Sequence, residues 1–329
     1  MLLPLLLLSF AQETDDIPLF KADSKLVPVH FHVVRDKRYA ESLRPEEIVL
    51  LEDGKPQPVT LFEGGLAKRT TPIEIMLLFD VSGSVQNRAL LEPLSYEKAL
   101  LHTSLNVKVS VYGFAAKLFR FSGPTRNPAE LGAAFRAVAE FGPGHRPRAL
   151  PLVLPPGRKD AQGGSWIYEA VIAVAKEGAR ARDGASRMIL VFSDGQQTTD
   201  ARVEDAAGLA TELGIGVYPV AVGHRERLER LRGAKGQMQR ARLESLEHDL
   251  QEFAQLGELT GGRSFDPFQI DTRTVDQILR FMAAQVMFEY VAGFAPEASA
   301  GGAKKHKVQV KLAVPKSGKV LGGTRTVVH

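Results

Sequence analysis

The sequence predicts an α/β fold, a doubly wound and mostly parallel sheet flanked by β-sandwich-like strands at both ends of the chain. Three observations carry this. Two near-continuous apolar runs, at residues 73–80 and 187–194, read as strands buried on both faces. Between and after them, strand-like segments alternate with amphipathic helical ones. Outside residues 72–287 the pattern is β-rich on both sides.

In the N-terminal β segment, residues 25–66, positions 27–34 alternate β-branched and aromatic residues at period two. His30 and His32 then share one face, expected to meet solvent. Residues 47–52 form the next strand. Asp53-Gly54 is a strong hairpin-turn signal, and residues 57–62 are expected back as the partner strand.

The α/β series starts with a strand at 73–79 and a helix at 88–103, whose Leu90, Leu91, Leu94, Ala99, Leu100 and Leu101 are candidate core residues. A strand at 107–114 follows, with a short antiparallel neighbour at 118–121. Helices fit 128–141 and 165–181, separated by a loop carrying five prolines from Pro143 to Pro156. Then come a strand at 188–192, a helix at 203–213 and a strand at 215–222. A helix at 243–256, a short strand at 261–265 and a last helix at 274–287 complete the series. Strand patterns at 288–294, 307–314 and 320–328 make up a C-terminal β segment, residues 288–329. Chain ends of a domain usually lie close together, so this segment is expected to pair with residues 25–66 around the inserted 72–287 unit.

With 329 residues and 44% hydrophobic content, the chain can bury a substantial core. Its formal charge of +4 is concentrated at 224–242, where seven basic residues face only Glu226 and Glu229. Such a stretch suits a solvated helix or a contact with an acidic surface. No aromatic residue interleaves Arg225 to Arg242, so nucleic acid is not the expected partner. The absence of cysteine excludes disulfides, thiolate metal sites and thiol nucleophiles. Residues 1–8 are apolar, and small residues Ser9 and Ala11 precede Gln12. Residues 1–11 are therefore expected to be a signal peptide, making the protein exported: periplasmic, secreted or held at the cell surface. The run is too short to span a bilayer.

The chemistry lies just past the first buried strand. Asp80, Ser82 and Ser84 stand two apart on a glycine-containing turn, where open α/β sheets bind ligands. Three oxygen donors so placed suit a hard cation such as Mg²⁺, the other reading being a helix-capping turn. Two distant features join them: Ser165, at the start of a helix, and Asp194, at the end of the second buried strand.

In these residues the chain resembles the von Willebrand factor type A domain. That family's metal-ion-dependent adhesion site reads D-x-S-x-S, then a Thr, then an Asp. Asp80, Ser82 and Ser84 match the first part, Ser165 stands where threonine is usual, and Asp194 matches the last aspartate. The resemblance implies five oxygens around Mg²⁺, or Mn²⁺ or Ca²⁺, with one position open for a partner's Asp or Glu carboxylate. It also implies recognition without bond making, and coupling of metal ligation to the last helix. Residues 51–57, 260–263 and the closing β-stretch look like the acidobacterial von Willebrand factor A-related family. Trp166, the only tryptophan, suits a rim or a packing role equally.

Enzymatic readings find little support. Ser82 and Ser84 lack a G-x-S-x-G elbow, and neither H-E-x-x-H nor a P-loop occurs. A haloacid-dehalogenase-type phosphatase would want an acid where Ser82 stands. A module whose metal merely stabilises the fold would use the same five ligands.

Overall fold

The computed structural model describes residues 26–36, 38–65, 72–83, 85, 107–142, 147, 149–150, 164–181, 185–232, 236–267, 271–296 and 304–328. In chain order the strands are β1 (Val27–Arg35), β2 (Arg38–Tyr39), β3 (Ile48–Glu52), β4 (Lys55–Gln57), β5 (Leu61–Gly64), β6 (Ile73–Asp80), β7 (Val107–Phe114) and β8 (Leu118–Thr125). They continue with β9 (Ala149–Leu150), β10 (Ser186–Ser193), β11 (Gly216–Ala221), β12 (Tyr290–Phe294), β13 (Lys305–Leu312), β14 (Lys319–Gly322) and β15 (Thr324–Val328). The helices are α1 (Pro128–Ala139), α2 (Ile167–Arg180), α3 (Val203–Glu212), α4 (His224–Arg232), α5 (Gln237–Thr260) and α6 (Thr272–Phe288).

The central sheet runs β11-β10-β6-β7-β8-β9, with β10, β6, β7 and β11 parallel and β8 antiparallel to β7. Every residue of β6 and β10 is buried, the signature of strands covered by helices on both faces. One layer of core joins Ile75, Leu77 and Phe79 to α1 and α6. The other joins Met76 and Leu78 to α2, α3 and α5. Phe79 and Phe192 stack at 4.8 Å between ring centroids, two side chains whose burial contributes roughly 1.5–3 kcal/mol each. The sheet is thus mixed and mostly parallel, as expected.

Two antiparallel sheets flank it, one ordered β14-β1-β12-β5 with β2 on β1, the other β15-β13-β3-β4. Each contains strands from both chain ends: Phe31 lies opposite Tyr290, and Leu50 opposite Val310. Val29, Phe31, Val33, Leu50, Phe294 and Val308 form their shared core. Gly322 and Gly323, at φ of 68° and 70°, let the chain leave β14 in one sheet and enter β15 in the other.

Several sequence expectations need correction. The return strand at 57–62 is instead β4, which ends at Gln57, and β5, which pairs with β12 in the opposite sheet. Pro58 has no N–H to extend the ladder, so the chain crosses over there. The face that carries His30 and His32 is not open to solvent: His32 is buried and His30 half-buried. The α/β unit covers that face: His32 Nε2 lies 2.9 Å from the Gln285 carbonyl, and His30 Nδ1 lies 3.4 Å from Glu289 Oε2. The helix expected at 243–256 spans Gln237–Thr260, because solvated basic residues extend it N-terminally at little cost. The short strand at 261–265 reduces to a single bridge, Val220 to Phe265. The helix at 88–103 lies outside the described residues.

Arg325 of β15 ties the flanking sheets to the α/β unit. Its guanidinium donates to the Pro28 carbonyl and, at 2.7 Å, to the Glu212 carbonyl at the end of α3. Burial pushes its pKa down to about 10.

Candidate metal-binding site

The last residue of β6 is Asp80, fully buried at the carboxyl edge of the sheet. Its Oδ1 accepts the Ser82 backbone N–H at 2.9 Å, an Asx turn that curls the chain back over the strand end. Its Oδ2 accepts the Ser193 hydroxyl at 2.7 Å from the neighbouring strand β10. Both carboxylate oxygens are therefore oriented by short contacts from two different strand ends.

Ser165 reaches this turn from another direction. Its Oγ lies 2.9 Å from Ser82 Oγ and 3.3 Å from Asp80 Oδ1. With one proton, that hydroxyl serves one acceptor at a time. Gly164, at φ 94°, turns the chain into this position, and a Cβ there would collide with Thr198. Thr198 in turn holds the Ser165 carbonyl with both its backbone N–H and its hydroxyl, each at 3.0 Å.

The start of α2 is fixed by Gln197. Trp166, the residue before the helix, offers no side-chain cap, so Gln197 Oε1 accepts the Ile167 and Tyr168 N–H groups at 2.7 and 3.4 Å. Gln197 Nε2 donates to Glu169 Oε2 at 2.9 Å, and Thr199 donates to the same carboxylate. Trp166 is 2% exposed and packs in the interior. The rim role does not arise.

Asp194 follows β10 and is 1% exposed. Its Oδ1 accepts the Gln196 N–H at 3.2 Å, and its Oδ2 accepts Arg227 Nη1 at 2.9 Å. Arg227 belongs to α4 in the basic stretch, 33 positions along the chain. Ser84 lies outside the described residues. The structure therefore gathers Asp80, Ser82 and Ser165 directly, with Asp194 close enough for its charge to act on Asp80.

Burial pushes the Asp80 carboxyl above its ordinary value. Hydrogen bonds from Ser82 and Ser193 oppose that rise, and the negative charge of Asp194 adds to it. A desolvated carboxylate beside two hydroxyls and a second carboxylate is the donor set of a hard divalent cation. Among the described residues no three His, Cys, Asp or Glu side chains cluster as metal ligands. The hydroxyls must therefore carry much of any coordination.

Ser193, Gln197, Thr198 and Arg227 were not singled out from the sequence. The polar run from Ser193 to Thr199, directly after a fully buried strand, is a signal for the first three. Nothing in the sequence pairs Arg227 with Asp194.

Residues 148–258 match the family model of the von Willebrand factor type A domain. The match spans 111 of the 329 residues. The stretch matched by the von Willebrand factor type A model contains Ser165, Asp194 and Arg227 and begins beyond the Asp80 turn. Among solved structures, BatB from Bacteroides thetaiotaomicron is 17% identical, with 65% of this chain and 98% of that one covered, at a TM-score of 0.43. Proximal thread matrix protein 1 from the mussel byssus, described with a zinc-occupied MIDAS motif, is 13% identical over 68% of this chain and 47% of its own, with a TM-score of 0.42. The pilus adhesin SpaC from Lactobacillus rhamnosus GG is 14% identical over 91% and 40%, with a TM-score of 0.44. No curated protein matches the chain by sequence. Von Willebrand factor type A domains typically mediate protein interactions, are generally not enzymes and commonly bind a divalent metal. No described helix is long and apolar enough to cross a membrane.

Proposed function

We propose that the protein is an exported, non-enzymatic, metal-dependent binding module. Asp80, Ser82, Ser84, Ser165 and Asp194 hold Mg²⁺, or Mn²⁺ or Ca²⁺, and an acidic side chain of a protein partner completes the shell. Convergence carries this reading: the Ser165 hydroxyl, more than 80 positions along the chain, comes within 3.3 Å of both Asp80 Oδ1 and Ser82 Oγ at the carboxyl edge of the sheet. Two carboxylates balance the charge of a dication without filling its coordination shell, so a position is left for a partner's carboxylate oxygen. In a partly dehydrated cleft such a contact is worth far more than on open surface. Mg²⁺ suits the set because its octahedral shell takes hard oxygen donors, and five from the protein leave one position that a carboxylate can fill. The apolar N-terminus with Ser9 and Ala11 supports export. The flanking strands serve as the platform from which the domain is presented.

Titration calorimetry with Mg²⁺ and Mn²⁺ tests this. Saturable binding to the wild type that is lost in Asp80→Ala supports the reading. Equal heats in both proteins would overturn it.

A further inference from the structure

A cavity of about 470 Å³ opens between α4 and the first turns of α5, with Gln196, two residues past Asp194, in its lining. Arg227, Arg230 and Arg242 line it, with Ser245 at its wall and Leu231 and Leu246 as the apolar part. Arg227 belongs to both places: it lines the cavity and donates to the Asp194 carboxylate at 2.9 Å. Through Arg227, α4 is therefore held against the candidate metal site.

We propose that this cleft binds a second acidic side chain of the same partner segment whose first carboxylate completes the metal shell. The proposal rests on the metal-bridged reading for that first anchor. Three guanidiniums around one small space repel one another unless anions separate them. Asp194 answers Arg227, and the exposed Glu226 answers Arg230 at 3.3 Å. Arg242 is exposed and makes no ion pair among the described residues. An incoming carboxylate can take two parallel hydrogen bonds from a guanidinium fork, which an exposed i,i+4 pair does not supply. The apolar floor of Leu231 and Leu246 accommodates the methylene groups of a Glu side chain. Among the described residues no aromatic side chain lines the cleft, so they offer no stacking platform of the kind on which single-stranded nucleic acid binds. An acidic polypeptide is the ligand class that fits.

Fluorescence anisotropy of a labelled oligoglutamate, with Mg²⁺ present, tests the cleft. Arg230→Ala/Arg242→Ala should weaken binding about tenfold, the scale of one lost charge-assisted hydrogen bond. Arg225→Ala/Arg232→Ala removes the same charge from α4, where those residues pair with Asp266 and Glu247, and should leave affinity nearly unchanged. Equal weakening by both pairs, or by neither, would overturn the proposal, as would equally tight binding of an oligothymidylate. Calorimetry with Mg²⁺ alone separates the two ideas. A wild type that binds no Mg²⁺ defeats the metal-bridged reading and the first anchor with it. A wild type that binds Mg²⁺ while the arginines prove irrelevant defeats only the cleft.

Discussion

Arg227 Nη1 donates to Asp194 Oδ2 at 2.9 Å, so a cation of the chain itself already sits against a carboxylate of the candidate metal set. The pair is unequal: Asp194 is 1% exposed at its side chain and Arg227 is 28% exposed. The carboxylate depends on its partner more than the arginine does.

Removing that partner gives the first prediction. Arg227→Ala leaves the buried Asp194 with the Gln196 N–H as its donor among the described residues. The chelated protein should lose roughly 1–3 kcal/mol, the cost of an under-paired buried carboxylate partly reached by water. Added Mg²⁺ should then raise the melting temperature of the variant more than that of the wild type. Thermal denaturation with EDTA and with Mg²⁺ measures both. Identical Mg²⁺ shifts in the two proteins would show that Arg227 does not compete with a cation.

Acidity should act on Asp80. Burial raises the Asp80 pKa above 3.8, so the native state takes up its proton at higher pH than the unfolded chain does. The metal-free protein should therefore lose an electrostatic penalty, and gain stability from this group, as pH falls from neutral through the raised value toward 3.8. Mg²⁺ affinity should fall in the same window, because proton and cation compete for one carboxylate. Calorimetric titrations at stepped pH test this, and a flat affinity profile down to 3.8 would exclude Asp80 as a ligand.

The backbone around Ser165 is equally open to test. Gly164→Ala places a methyl group on Thr198, which holds the Ser165 carbonyl, and asks an L residue to adopt φ 94°. The strain costs about 1–3 kcal/mol, and its relief moves the Ser165 hydroxyl away from Asp80. Mg²⁺ affinity should drop while the far-ultraviolet circular dichroism stays that of the wild type. Unchanged affinity would mean that Ser165 lies outside the metal shell.

Legibility in the sequence followed the physics of each element. The β6 and β10 runs are apolar on both faces because helices cover both sides, and such runs read plainly. The Asp53-Gly54 turn was visible because both residues take positive φ, 47° and 81°, the hairpin geometry this dipeptide favours. Asp80, Ser82 and Ser165 stood out through spacing on strand ends and helix starts. His30 and His32 misled because the polar face of an alternating strand reads as solvent-facing, and only the packed α6 covers it. Arg227 was illegible for a related reason: its contact is set by where α4 docks, which no local pattern encodes.

The far end of β6 offers the sharpest stability test. Glu74 accepts Arg187 Nε at 2.9 Å and the Ser110 hydroxyl at 2.5 Å, with the two ionic side chains 4% and 7% exposed. Glu74→Ala removes the carboxylate that balances the buried Arg187 charge and should cost about 3–5 kcal/mol. Replacing both partners by Glu74→Leu and Arg187→Met should recover most of that loss, since an apolar pair removes the unpaired charge instead of exposing it. Glu74 sits six residues from Asp80 on one strand, about 20 Å away at ~3.3 Å per residue. Mg²⁺ affinity of the folded double variant should therefore match the wild type, since the pair supports the sheet and takes no part in the candidate site. Denaturant unfolding beside calorimetry reads the two effects separately, and a double variant as unstable as the single one would show that packing, not the stranded charge, sets the cost.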